Sequence, residues 1–281
     1  MQPVLAWNMV ESLQKEFGCS QRRACRVMDA NRCTVRRPDR PDKDAVLRTR
    51  LRELADERRR FGVRRLHILL REEGVVVNHK RTERIYREEG LALRRKGAKK
   101  RPASPRKPDV TVSGSGQCLA MDFVHDSLAD GRKIRILSLV DIYDRSCPSL
   151  EVGFSYSSQR VIQTLERLRS VGQLASVLRV DNGPEFTSNA IQCWAAKNGI
   201  TIKYSRPGCP TDNGHVESFN GKLRDECLNQ NLFSTLQEAR DCIERWRQDY
   251  NTNRPHSALG WRTPAAYREL RNSEQSGVAN L

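Results

Sequence analysis

The sequence contains no pair of cysteines spaced as Cys-x-x-Cys, although nine cysteines occur among its 281 residues. Zinc fingers and related modules bind their metal through cysteine and histidine at such spacings, so a structural zinc site is not expected. An odd number of irregularly placed cysteines also argues against a disulfide framework and indicates a reducing compartment.

Long apolar runs are also absent. The longest, such as residues 66–70, are far shorter than the roughly 20 residues that a membrane-spanning helix needs. The N-terminus does not combine a basic start with an apolar stretch, so it shows no signal peptide. These absences predict a soluble, cytoplasmic protein with no membrane partner.

Basic residues are concentrated in one part of the chain. Residues 1–110 contain 30 Lys and Arg against 15 Asp and Glu, whereas residues 111–281 contain 20 against 19. A basic segment joined to a nearly neutral one indicates a polyanionic partner, nucleic acid in particular. A charged surface that serves only solubility is the alternative.

Residues 1–43 are predicted to be helical. Helices at 4–17, 21–28 and 32–37 follow from the apolar spacing and from Ser20 as a cap. This pattern fits a helix-turn-helix and fits an ordinary helical hairpin equally well.

Residues 44–92 are the better candidate for a DNA-reading helix-turn-helix. Helices are predicted at 44–59, 63–73 and 79–89, and a solvated charged helix is the alternative for the last of them. Five basic side chains of this region are the expected DNA contacts, namely Arg64, Arg65, Lys80, Arg81 and Arg84. Residues 93–112 are rich in proline and positive charge, which predicts a basic linker along phosphates; a nuclear-localisation signal would have the same composition.

Residues 113–232 show a different pattern, of strands and helices. Strands are predicted at 118–124, 134–140, 150–156, 176–180 and 200–204, with helices at 158–171, at 188–198 and around Glu217. The order β-β-β-α-β-α-β-α indicates an α/β (α+β) fold with a mixed five-stranded sheet flanked by helices, as in the ribonuclease-H-like arrangement. Residues 233–281 are predicted as a C-terminal extension with a helix from 236, a polar loop at 251–263 and a frayed tail.

Asp122 is the most informative single residue, because it lies in a strand that is apolar on both sides. An ionised carboxylate in a central strand costs several kcal/mol unless it is paired or binds a metal. No Lys or Arg lies within the strand, so a metal is favoured, with a salt bridge from elsewhere as the alternative.

Two further acids follow at positions where a site is expected. Asp181 begins Asp-Asn-Gly directly after a strand, and a helix rather than a second hairpin strand follows it. Glu217 lies near the start of a helix that would turn its acid to the sheet. Asn220, Lys222 and Arg224 would face outward on this helix, and all three are expected to contact DNA. Two or three carboxylates suit Mg²⁺, which assists phosphodiester chemistry without a side-chain nucleophile.

The chain resembles the insertion-sequence-three family of transposases, specifically the product of the second reading frame, which has a retroviral-integrase-like core. The resemblance covers nearly the whole chain. It rests on motifs at 61–66, 121–124, 180–186, 217–229 and 250–260, and on the 35 residues between Asp181 and Glu217. Gly214 departs from the family, whose members usually carry alanine or another helix former there.

This resemblance implies metal-dependent cleavage at the ends of an insertion sequence, followed by strand transfer. By position, Asp122, Asp181 and Glu217 would be the catalytic metal ligands for Mg²⁺, with Mn²⁺ as a substitute, and Arg224 would hold DNA. It also implies double-stranded DNA as the partner, a homo-oligomer on DNA, a bacterial nucleoid location and a fusion with, or partner from, an upstream frame. The alternatives are a DNA-binding regulator derived from a transposase and a nuclease that cuts without joining.

Overall fold

The computed structural model describes residues 3–36, 42–93, 112–206 and 213–278. The chain divides into two compact units, Met1–Arg50 and Leu51–Leu281. Most of the predicted basic linker, residues 94–111, lies outside the described residues.

The first unit contains three short helices, α1 (Pro3–Phe17), α2 (Gln21–Val27) and α3 (Arg32–Val35). Ser20 caps α2, since its Oγ accepts a hydrogen bond from the Arg23 amide at 3.3 Å. Small and β-branched side chains from these helices pack into a minor core. All three predicted helices are therefore confirmed, although Arg37, the predicted end of the third, lies outside the described residues.

The next three helices are α4 (Ala45–Glu57), α5 (Val63–Glu72) and α6 (His79–Glu88). The Asn78 side chain caps α6 by accepting a hydrogen bond from the Lys80 amide at 2.9 Å. Apolar residues at helical spacing, such as Leu66, Leu70 and Ile85, are fully buried, which explains why periodicity located these helices correctly.

Five strands form one mixed sheet in the order β3-β2-β1-β4-β5. The strands are β1 (Cys118–Ser127), β2 (Lys133–Asp141), β3 (Ser149–Gly153), β4 (Val177–Val180) and β5 (Thr201–Tyr204). The first three strands are antiparallel, while β1 with β4 and β4 with β5 are parallel. The predicted mixed five-stranded sheet with a central first strand is thus confirmed.

Helices cover both faces of this sheet. They are α7 (Ser158–Ser170), α8 (Pro184–Thr187), α9 (Asn189–Lys197), α10 (Gly214–Glu226), α11 (Leu236–Thr252) and α12 (Pro264–Val278). On one face Ala120 and Val124 pack with apolar residues of α10 and α11, and on the other Leu119 and Met121 pack with those of α7 and α9. Because side chains alternate along a strand, Asp122 belongs to the face that α10 covers.

The C-terminal part departs from the sequence prediction. Residues 251–263 were expected to form a polar loop, yet Arg254 and His256 are buried and a short 3-10 helix spans Ser257–Leu259. Helix α12 was not predicted either. The polar composition of this segment predicted a loop. Arg254 can nevertheless be buried, because it pairs with the carboxylate of Glu226, 28 residues away in sequence. In the described part of the chain, no helix has the length and apolar character needed to cross a membrane.

Candidate active site

Asp122 projects from the central strand towards α10. One carboxylate oxygen, Oδ1, accepts a hydrogen bond from the Phe123 amide at 2.8 Å, and Oδ2 accepts one from Asn220 Nδ2 at 2.9 Å. The side chain is half-buried rather than enclosed. The strand therefore places this carboxylate at the boundary between the core and solvent, where a ligand can reach it.

Ser138 orients the asparagine that contacts Asp122. It lies opposite Asp122 in the β1–β2 register, and its Oγ is 2.8 Å from Asn220 Oδ1 and 3.0 Å from the Asp122 carbonyl oxygen. A hydroxyl has one hydrogen to donate, so it serves one of these acceptors at a time. When it donates to Oδ1, the amide Nδ2 is directed at the carboxylate.

Asp181 lies immediately beyond β4 and is exposed. Its Oδ1 accepts a hydrogen bond from the Gly183 amide at 3.0 Å. A Cβ at Gly183 would lie only 3.0 Å from the same Oδ1, so a larger residue there would push against the Asp181 carboxylate. Asn182 fixes the turn to the end of the sheet by donating from Nδ2 to the Ser205 carbonyl at 3.0 Å.

Glu217 lies in the first turn of α10 and is exposed. The helix is anchored by Val216, Phe219 and Leu223, which are buried against the sheet. Arg224 is exposed and donates from Nη2 to the His125 carbonyl of β1 at 3.2 Å. The predicted placements of Asp181 after a strand and of Glu217 near a helix start are both confirmed.

The three acids influence one another electrostatically. Burial raises the pKa of the Asp122 carboxyl, the negative charges of Asp181 and Glu217 raise it further, and the bonds from Phe123 and Asn220 oppose the shift. None of the three acids forms an ion pair with a Lys or Arg of the described residues. Across those same residues, no three His, Cys, Asp or Glu side chains converge closely enough to hold a metal ion. The three carboxylates therefore act on one another without a basic partner among the described residues, but they do not form a preassembled metal site.

The basic residues predicted to bind DNA do not all lie on one surface. Lys80, Arg81 and Arg84 are exposed on α6, and Arg84 pairs with Glu88 at 2.8 Å. Arg64 is exposed on α5, whereas its neighbour Arg65 is half-buried.

Two predicted orientations on α10 were wrong. Asn220 was expected to face outward, but it contacts Asp122 because the hydroxyl of Ser138 provides a partner for its amide. Lys222 was also expected outward, but it is half-buried and donates from Nζ to Ser218 Oγ at 3.1 Å. Helical spacing alone could not reveal either contact.

Three regions of the chain match known domain families. Residues 113–210 and 198–264 each match an integrase core domain, and residues 41–99 match a helix-turn-helix-like domain. The helix-turn-helix-like match spans the second helical region, residues 44–92.

Relatives with similar sequences come from insertion elements. The chain is 42% identical to a 31.7 kDa protein of insertion element IS407 from Burkholderia multivorans, over 92% of this chain and 94% of that protein. It is 28% identical to the putative transposase InsK of element IS150 from Escherichia coli, over 81% and 84% of the two chains. In a solved simian T-cell lymphotropic virus intasome, one chain shares the fold with a TM-score of 0.51 and 18% identity, covering 78% of this chain and 74% of that one.

The mixed sheet and the domain matches define a ribonuclease-H-like integrase core, the class of protein that transfers polynucleotide ends. Within that class, the chain belongs to the insertion-sequence-three family of Asp-Asp-Glu transposases, which act in DNA transposition and integration.

Proposed function

We propose that Asp122, Asp181 and Glu217 are the catalytic carboxylates of this transposase and that they hold Mg²⁺, with Mn²⁺ as a substitute. The observation that carries the proposal is that Asp181 and Glu217, from two other elements, lie close enough to Asp122 for their charges to raise the pKa of its half-buried carboxyl. The three acids have no basic partner among the described residues, and carboxylates that repel one another in this way favour a bound cation.

The donor set suits a hard divalent cation. Carboxylate oxygens are the ligands that Mg²⁺ prefers, and the exposed Asp181 and Glu217 leave room for the waters it keeps. When bound, the metal would increase the acidity of an attacking hydroxyl and stabilise the leaving oxygen.

The protein's own groups would orient the reaction. Asn220 holds the Asp122 carboxylate at a fixed angle, and the Gly183 amide does the same for Asp181. In the first step a water oxygen attacks the phosphorus at the element end, and the bond to the 3′-oxygen breaks to free a 3′-hydroxyl. In the second step that hydroxyl attacks a phosphodiester of the target, forming the new bond as a target 3′-oxygen leaves.

The remaining predictions concern DNA and assembly. Exposed Lys80, Arg81 and Arg84 on α6, together with Arg64, would contact the phosphates of double-stranded DNA, and Arg224 would hold DNA beside the acids. The helical region 44–92 would form the DNA-binding domain, preceded by residues 1–43 and linked by 93–112 to a catalytic core at 113–232 and an extension at 233–281. Joining two element ends favours a homo-oligomer on DNA, with an upstream-frame product as partner or fusion.

A joining assay with pre-cleaved element ends tests the catalytic assignment. Asp122→Asn and Glu217→Gln should reduce Mg²⁺-dependent cleavage and joining to background while DNA binding in gel shifts is unchanged. Asp126→Asn, on the same strand, is the matched control and should keep activity. Cleavage that persists in either triad variant would refute the assignment.

The same assay separates the alternative functions. A regulator would bind element ends without any reaction by the unmodified protein. A nuclease would cut but would not join pre-cleaved ends.

A further inference from the structure

A second charged feature of the core is a cavity of about 240 Å³ beside α10. Four cationic side chains contribute to its wall, namely Arg65, Arg145, Lys222 and Arg254, and no acidic residue of the described part of the chain lines it. Lys222 is five residues beyond Glu217, which places it about 140° away around the helix. None of Asp122, Asp181 and Glu217 lines the cavity, so it is separate from the three proposed catalytic carboxylates, although it shares α10 with Glu217.

Two buried groups that line the cavity have unused hydrogen-bonding atoms. Arg254 is only 2% exposed, and it donates from Nε to Glu226 Oε2 at 3.0 Å and from Nη2 to Oε1, yet its Nη1 has no partner. His256 is 6% exposed, and its Nε2 has no partner either. Buried polar atoms are nearly always paired, so Arg254 and His256 leave hydrogen-bonding capacity unused in the wall of the cavity.

The positive charge around the cavity is not balanced. Burial lowers the pKa of the Lys222 ammonium to about 8, and the charge of Arg254 lowers it further. The same two causes, in the same order, lower the pKa of His256 to about 3 and lower that of the Arg65 guanidinium. Glu226 offsets part of this charge through its two bonds to Arg254, but it leaves Nη1 unsatisfied.

We propose that this cavity is a binding site for a phosphate group, with Lys222 Nζ, the Arg65 guanidinium and the Ser218 hydroxyl as donors to its oxygens. Arginine and lysine together are suited to a tetrahedral oxyanion, because the planar guanidinium directs its donors and the ammonium adds a compact charge. The phosphate could come from a DNA backbone or from a small phosphorylated compound. Binding of a DNA phosphate rests on the proposed function, whereas binding of a small phosphorylated compound does not.

Inorganic phosphate tests the site directly. At constant ionic strength, replacing chloride by phosphate should raise the Tm of the full chain, and calorimetric titration should show binding. Lys222→Met should weaken phosphate binding about tenfold, the loss expected for one charge-assisted hydrogen bond. The matched control is Arg245→Gln, an exposed arginine of α11 outside the cavity, which should bind phosphate as tightly as the unmodified protein.

A second variant keeps the test decisive if Lys222→Met does not fold. If Lys222→Met unfolds in chloride alone, Arg65→Gln should show the same loss of phosphate binding. The proposal is overturned if phosphate does not bind the unmodified chain, or if the cavity variants and Arg245→Gln bind it equally.

The salt dependence of duplex binding identifies the source of the phosphate. If the cavity holds a DNA phosphate, the slope of log Kobs against log salt should fall by about one in Lys222→Met. If Lys222→Met loses phosphate binding as expected but leaves the salt slope of duplex binding unchanged, the site binds a small phosphorylated compound. Neither readout depends on catalysis, so failure of the Asp122→Asn expectation would leave this result intact.

Discussion

The Asn220 amide nitrogen Nδ2 donates to Asp122 Oδ2 across 2.9 Å and so joins α10 to the central strand. This bond ties the helix that carries Glu217 to the strand that carries the most buried acid. It also stabilises the ionised form of Asp122 against burial and against the charges of its two acidic neighbours. Asn220 is therefore a positioning residue for the proposed metal site.

Asn220→Ala should raise the Mg²⁺ concentration needed for half-maximal joining. Loss of a partner that orients a metal ligand typically costs about 10–100-fold in metal affinity or activity. Titrating Mg²⁺ in the joining assay measures this shift, and DNA binding should be unchanged. If the metal dependence is the same as in the unmodified protein, Asn220 has no positioning role.

Asn220 has a second informative substitution. Asn220→Asp places a like charge beside Asp122, so the pKa of the Asp122 carboxyl should rise further. The acid side of the pH–activity profile should then move to higher pH, which a steric effect alone would not produce.

Gly214→Ala should stabilise the protein by about 0.5–1 kcal/mol, because alanine restricts the unfolded chain more than glycine does. Gly214 begins α10, and a Cβ there would meet no atom within 4 Å. Urea denaturation measures the change. Gly260→Ala is the contrasting variant, since Gly260 has a φ of +64° that alanine adopts only with strain. A stability loss in Gly214→Ala would show that helix α10 needs glycine at its start.

Glu226→Ala should destabilise the protein by about 3–5 kcal/mol, because it leaves the charge of Arg254 buried without its carboxylate. Glu88→Ala removes an exposed pair with Arg84 and should cost less than about 1 kcal/mol. Chemical denaturation of both variants provides the comparison. Equal losses would contradict the buried character of the Arg254 pair.

The stability that Lys222 contributes should grow as the pH rises from about 8 to 10.5. Burial first, and then the charges of Arg254, Arg65 and Arg145, lower the pKa of Lys222 to about 8 while Glu226 opposes the shift, so at this residue the unfolded chain binds more protons than the folded chain in that range. Lys222→Met removes this contribution, and it should raise the Tm at pH 7 in phosphate-free buffer. Measuring Tm against pH for both proteins isolates the difference, and parallel curves would contradict it.

Much of the fold follows from local patterns in the sequence. The apolar alternation around Asp122 predicted a central strand, and helical spacing located α4 to α7 to within a few residues. Asp122 was identified because a charged residue inside an apolar strand is unusual. Asp181 and Glu217 were identified because each lies in a sequence motif. Their relation to DNA chemistry came from the family resemblance, which the comparisons confirm at the level of the family.

The contacts between distant segments could not be read from these patterns. Asn220 and Lys222 lie on one helix with similar polarity, yet one contacts Asp122 and the other lines a basic cavity. Arg254 and His256 have the composition of a loop, and only the carboxylate of Glu226 and the close packing make their burial possible.

The sequence by itself determined the secondary structure of the core and the identity of the three acids, because periodicity and an unpaired charge are local properties. The tertiary structure decided what surrounds each polar side chain, because the free energy of burying a charge depends on partners that are far away in the sequence. For that reason the position of Asp122 in the central strand followed from the sequence, and the cavity with Arg254 did not.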